Sequence, residues 1–182
     1  MHRIGRILLR IKKIRWRTML AASVMLCGSF SYALAEERQY KVEAAFLYSF
    51  FNYITWPGYI STQEMQKPLI CVYGDDPILP YLYYVSDKMA EERTLSVRRI
   101  SDKDSAAGCH ILFIRHRLSF SMTSLANDTL VVFKPDDPLD RGGMVELAED
   151  GERISVKINQ SLLEQQHFQI SSRLLELAQI IK

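Results

Sequence analysis

The chain has 182 residues, 48% of them hydrophobic and 24% charged, with 23 basic against 21 acidic side chains for a net charge of +2. This much apolar material excludes a disordered chain, and the length suits one domain. Seven of the basic residues (Arg3, Arg6, Arg10, Lys12, Lys13, Arg15, Arg17) precede Met19, leaving 16 against 21 acids in the rest, about −5. That gives no support to nucleic-acid binding, which would need a basic face on the domain.

The first element in chain order is a leader. The basic stretch Met1–Thr18 is followed by Met19–Tyr32, all apolar or small, and then by Ala33-Leu34-Ala35. Basic region, short apolar run and A-x-A form a secretory signal, cleaved near Ala35. A membrane span needs about 20 apolar residues, so a retained anchor is the weaker reading. Lipidation at Cys27 is weaker still, because Leu26 stands where a small residue is wanted. The expected organisation is a signal peptide over 1–35 and a single α/β domain over 36–182, soluble after cleavage. In an oxidising compartment the remaining pair, Cys71 and Cys109, favours one disulfide. Two buried thiols are the alternative.

Tyr40–Ile54 predicts a helix stopped by Trp56-Pro57-Gly58. Leu47, Phe50, Phe51 and Ile54 fall on one stripe. Phe46, Tyr48 and Tyr53 lie elsewhere on the wheel, so a second side is either covered within the domain or meets a partner. Tyr48, Tyr53 and Trp56 are the natural anchors for such a partner. Pro68–Gly74 reads as a buried strand running into Asp75-Asp76-Pro77 and a helix over Ile78–Met89. Thr94–Ile100 reads as a more exposed strand, Cys109–Ile114 as a buried one, Leu118–Leu125 as a short helix and Leu130–Phe133 as a third buried strand. Pro135-Asp136-Asp137-Pro138 breaks the pattern. Met144–Leu147 and Ile154–Ile158 flank Asp150-Gly151, a hairpin signal. Asn159-Gln160-Ser161 starts a helix through about Gln166. Ser171-Ser172 caps a last helix to the C-terminus, with Leu174, Leu175, Leu177, Ala178 and Ile181 on its apolar side. Buried strands alternating with helices indicate an α/β fold with a mostly parallel sheet, the hairpin forming an antiparallel edge.

Catalytic patterns are missing: there is no GxSxG, Walker A loop, HExxH or glycine-rich dinucleotide loop. His2, His110, His116 and His167 show no metal-ligand spacing. Cys109 and His110, adjacent on a strand, point to opposite faces and cannot act as nucleophile and base. No enzyme activity, cofactor or metal is expected. Gly74, Asp75 and Asp76, at the carboxyl end of a strand, mark a candidate ligand crevice. Helix capping by Asp76 is the plainer reading. Gly142-Gly143 allows positive φ or close backbone approach. Arg173 in the first turn of the last helix opposes the helix dipole. Either a carboxylate or a partner holds it, or it is a solvated surface residue.

Six blocks in order carry a family resemblance: Tyr40–Tyr48 with Trp56-Pro57, Ile70–Pro77, Gly108–Ile114, Gly142–Leu147, Ile154–Asn159 and Ile170–Leu175. Together they resemble the YfiR family of periplasmic proteins over nearly all of the chain after the leader. The resemblance implies a three-layer α/β/α sandwich, often dimeric, with no known catalytic residues. It also implies an inhibitor of an inner-membrane diguanylate cyclase. Such an inhibitor binds the cyclase's periplasmic sensor domain and holds the cytoplasmic catalytic domains inactive until envelope stress or a redox change releases it. Cys71 and Cys109 match positions where such a protein carries a disulfide. A second cysteine pair near the hairpin of some members is absent, with Val145 and Glu152 in that neighbourhood. A small-ligand-binding module using the crevice after Gly74, and feeding a different membrane sensor, is the competing expectation.

Overall fold

The computed structural model describes residues 36–61, 64, 65, 67–89, 94–101, 106–115, 128–134, 143–151 and 153–181. The expected leader over 1–35, the expected helix over Leu118–Leu125 and the Pro135–Pro138 break lie outside them. The chain divides into two compact units, Met1–Gln39 and Tyr40–Lys182. In the first unit the described residues, 36–39, are helical.

The second unit opens with helix α1 over 40–53. The predicted stripe is its core face: Leu47, Phe50 and Phe51 are buried, joined by Ala44 and by Ile54 just beyond the helix. Burial of side chains this large contributes roughly 1.5–3 kcal/mol each. Strand β1 (Ile54–Thr55) follows, then β2 (Leu69–Tyr73), α2 (Leu79–Lys88), β3 (Ser96–Ile100), β4 (Ile111–Ile114) and β5 (Leu130–Phe133). The hairpin is β6 (Val145–Asp150) and β7 (Arg153–Asn159), turning through Gly151 at φ +63. A left-handed φ suits glycine, which has no Cβ to clash. Next come α3 (Gln160–Gln165), β8 (Gln169–Ile170), α4 (Ser172–Leu177) and β9 (Gln179–Ile181). Asn159 and Ser171 cap α3 and α4, accepting from the amides of Leu162 and Leu174.

The main sheet runs β3-β2-β4-β5-β6-β7-β9, parallel except for the β6–β7 hairpin, and β1–β8 is a small antiparallel pair. The α/β fold with a mostly parallel sheet is therefore as expected. Residues alternate along the strands between two cores. Ile70, Val72, Ile111, Phe113, Leu130, Val132, Val145 and Leu147 face one core, which α1, α2, α3 and α4 cover with Leu47, Leu82, Leu163 and Leu174. Cys71, Leu112, Ile114, Val131 and Phe133 face the other. Both faces of the sheet being buried explains why its central strands read as unbroken apolar runs.

Two expectations are corrected. The last helix does not reach the C-terminus: α4 ends at Ala178 in extended backbone, and β9 pairs parallel with β7, Ile180 against Ile158. Gln179-Ile180-Ile181 ends in two β-branched residues, which favour a strand, and the open side of β7 supplies hydrogen-bond partners. Leu177, assigned above to an apolar helix face, is 79% exposed. The hairpin is therefore internal to the sheet, and the edges are β3 and β9.

Candidate functional site

In the order β3-β2-β4-β5 the chain steps one way from β2 to β3 and the other way from β2 to β4. Open α/β sheets bind ligands at such a switch point, outside the carboxyl ends of the strands. Here the site holds the protein's own charges. Asp76 follows β2, Arg115 follows β4, Lys134 follows β5 and Glu149 lies near the end of β6. Glu43, one turn before Leu47 on α1, points at them from the helix side. Four of these side chains are buried, Glu43 and Asp76 completely, while Glu149 is 57% exposed.

Arg115 is the hub. Its Nε donates to Asp76 Oδ2 at 2.8 Å, and its Nη2 donates to Glu43 Oε2 at 2.5 Å and to Asp76 Oδ1 at 3.3 Å. The guanidinium lies 5.3 Å from the ring centroids of both Tyr40 and Phe113. Lys134 Nζ donates to Glu43 Oε1 and reaches Glu149 Oε1 at 2.8 Å. Burial disfavours the charge on Arg115, yet the hydrogen bonds and charges of Glu43 and Asp76 outweigh it and hold the guanidinium more basic than usual. Asp76 Oδ1 also accepts from the amide of Ile78 at 2.9 Å, fixing the entry to α2. Among the described residues every buried side-chain nitrogen and oxygen has a partner. The cluster is thus a satisfied ion network that ties α1 to the ends of four strands. Both of its cations pair with carboxylates inside the protein.

The predicted crevice residues part ways. Gly74, at φ +80, donates its amide to Ile100 O at 2.8 Å. Asp75 lies on the surface, 3.3 Å from Arg99, while Asp76 enters the network. Among the predicted anchors, Trp56 is corrected to a core residue. Its exposure is 3%, it stacks on Phe51 and meets Phe168 edge-on, and its Nε1 donates to His110 O at 3.0 Å. Two of these neighbours, His110 before β4 and Phe168 between α3 and β8, are distant in the chain, which a local sequence window does not show. Tyr48 and Tyr53 are half-buried against the same core. Arg173 is exposed and makes no ion pair among the described residues. Among the described residues the exposed aromatics are instead Tyr59, Tyr83 and Tyr84, with Ile60 nearby in sequence to Tyr59. Cys71 and Cys109 form a disulfide with Cα atoms 5.7 Å apart.

Glu43, Arg115, Lys134 and Glu149 were not singled out in the sequence. A signal exists for the first three. Glu43 sits four and seven residues before Leu47 and Phe50, a charge on a core-facing stripe. Arg115 and Lys134 each directly follow a buried strand. Among the described residues no group of three or more His, Cys, Asp or Glu could hold a metal ion, and no helix is long and apolar enough to cross a membrane.

No curated protein matches the chain. The profile of the YfiR/HmsC-like family matches residues 40–179, from Tyr40 beside Arg115 to the first residue of β9. That span is most of the sequence and contains the ion network and the disulfide, and the chain belongs to the YfiR/HmsC-like family.

Proposed function

We propose that this protein is exported to the periplasm, loses residues 1–35, and there binds the periplasmic sensor domain of an inner-membrane diguanylate cyclase. Binding represses the cyclase and lowers cyclic-di-GMP and biofilm formation. The observation that carries this reading is the family match over residues 40–179. The ion network supports it from the chemical side. The place where an α/β sheet usually takes a substrate is filled by paired side chains, which suits a protein that works through its surface. Exposed Tyr83 and Tyr84 on α2, exposed Tyr59, and Arg173 on α4 are surface groups a partner could use. A periplasmic protein cannot touch cytoplasmic cyclic-di-GMP, so control passes through a partner that spans the bilayer.

The test is genetic. Deleting the gene should raise cellular cyclic-di-GMP. Restoring the full sequence should lower it again, and a version starting at Glu36, which stays in the cytoplasm, should not. An unchanged cyclic-di-GMP level on deletion, or equal rescue by the leaderless version, overturns the reading.

A further inference from the structure

One apolar side chain is held out to solvent on a built turn. Strand β1 leads into Trp56-Pro57-Gly58-Tyr59, where the amide of Tyr59 donates to Trp56 O at 3.2 Å. Pro57 precedes Gly58 at φ +83, the pattern of a type II turn. Trp56 roots the turn in the core: it stacks on Phe51, meets Phe168 edge-on and donates to His110 O just before β4. On the other side, Glu64 Oε2 accepts the amide of Ile60 at 2.9 Å. Ile60 therefore leaves a fixed backbone, yet it is 90% exposed, more than any other exposed large hydrophobic residue among those described. Tyr59 beside it is 36% exposed. Scattered apolar residues on a surface are ordinary. An isoleucine held out by a turn that is tied on both sides is preorganised for insertion.

We propose that Tyr59 and Ile60 form a knob that enters an apolar pocket, rimmed by cationic side chains, on the periplasmic domain of the membrane partner. This rests on the reading above of a partner that spans the bilayer. Charge complementarity selects that occupant. Glu64 stands next to the knob, and the chain after the leader carries 16 basic against 21 acidic residues, about −5. An anionic membrane surface repels such a chain. One isoleucine with one tyrosine also buries much less apolar material than the acyl chain that by itself gives only marginal membrane binding. A second copy is disfavoured on the same grounds. Knob against knob would bring two Glu64 carboxylates together, and knob into another face would build rings or open chains rather than a two-fold dimer. Two side chains fall far short of the roughly 1,200 Å² that a stable interface buries. Against the partner they are the anchor of a wider contact, in which a few desolvated residues carry most of the affinity.

The experiment uses the full chain in its native host. A photo-crosslinking phenylalanine derivative replaces Ile60 or, as the control, Arg153, which is exposed in the hairpin at the opposite end of the sheet from His110. Irradiation should join position 60 to an integral membrane protein that carries a diguanylate cyclase domain, and position 153 should give no such product. In parallel, Ile60→Asp should raise cellular cyclic-di-GMP to the level of the gene deletion, while Ile60→Leu keeps the wild-type level. Immunoblots for abundance and a thermal melt of the purified Ile60→Asp protein separate loss of fold from loss of contact. Suppose the deletion raises cyclic-di-GMP while Ile60→Asp, folded and equally abundant, keeps the wild-type level. The knob is then overturned and the repressor reading stands. An unchanged level on deletion overturns the repressor reading, and the knob then stands only if position 60 crosslinks to a membrane protein of another kind. A product with a second copy of this chain or with lipid alone, or no product at all, overturns the knob in either case.

Discussion

Arg115 carries two buried carboxylates, and that sets what its loss costs. Replacing Arg115 by Met strands Asp76 without a cation and leaves Glu43 with Lys134 alone. Removing one partner of a buried pair costs about 3–5 kcal/mol, most of it the desolvation of the charge left behind. Lys134→Met leaves Glu43 its bond to Arg115, and the contact it removes from Glu149 is a weak one because that side chain is 57% exposed. Urea denaturation should therefore rank Arg115→Met well below Lys134→Met, and equal losses would mean that the network is not organised around Arg115. A second residue gives a pH signature. His110 Nδ1 accepts the amide of Leu69 at 3.1 Å, so the ring is held neutral. Burial lowers its pKa from 6.5, against a smaller opposing pull from Asp128. The folded state then binds a proton less readily than the unfolded state. The contribution is fully present above pH 6.5 and is lost as pH falls through the lowered folded value. Stability followed from pH 8 down to 5 should show this loss in wild type and a flatter profile in His110→Gln.

Elements were legible where local chemistry and tertiary context agree. The α1 stripe, the strands around Ile70, Leu112 and Val131, and the hairpin through Gly151 follow from periodicity and turn residues that the sheet then uses as written. The C-terminus was misread because the leucines of α4 continue a helical spacing. What decides the matter is the free side of β7, a feature of the assembled sheet. The ion network was illegible for a related reason. Its members come from α1 and from the ends of four strands, and no spacing along the chain announces that they meet. Trp56 followed the same logic, since a tryptophan beside Pro-Gly reads as surface until Phe51 and Phe168 close over it. Gly143 is a case where the residue type did carry information about an element contact. A Cβ there would lie 2.8 Å from Phe133 Cβ and 3.1 Å from Val145 O, so β6 enters the sheet against β5 with no room for a side chain. Gly143→Ala should cost about 1–3 kcal/mol by overpacking, and a Phe133→Ala background should not restore it, because Ala keeps the Cβ. A thermal melt at wild-type temperature for Gly143→Ala would show that the β5–β6 approach relaxes freely.

At the scale of the whole molecule, the neighbouring strands β2 and β4 are fastened at both ends. Cys71 and Cys109 join them on the side where β4 begins, and Asp76 and Arg115 join them beyond their carboxyl ends. Between these fastenings the parallel ladder matches Ile70 to Ile111 and Val72 to Phe113. The two fastenings differ in how they stabilise. The ion network acts in the folded state and, being buried, is weakly screened by salt. The disulfide acts mostly on the unfolded chain, where a closed loop with a sequence separation of 38 removes conformational freedom worth roughly 4 kcal/mol. Against a typical stability of about 5–15 kcal/mol that is a large share, yet the two cores and the network remain without it. The reduced protein should therefore stay folded at room temperature and melt roughly 10–15 °C lower than the oxidised one. A Cys71→Ala/Cys109→Ala variant should lose comparable stability and become insensitive to reductant. Melting curves with and without a phosphine reductant, at low and at molar salt, check both halves. A reductant effect that vanishes in the double variant and persists in molar salt assigns the loss to chain entropy. No shift on full reduction, verified by alkylation, would show that β2 and β4 are held by packing and ion pairs alone.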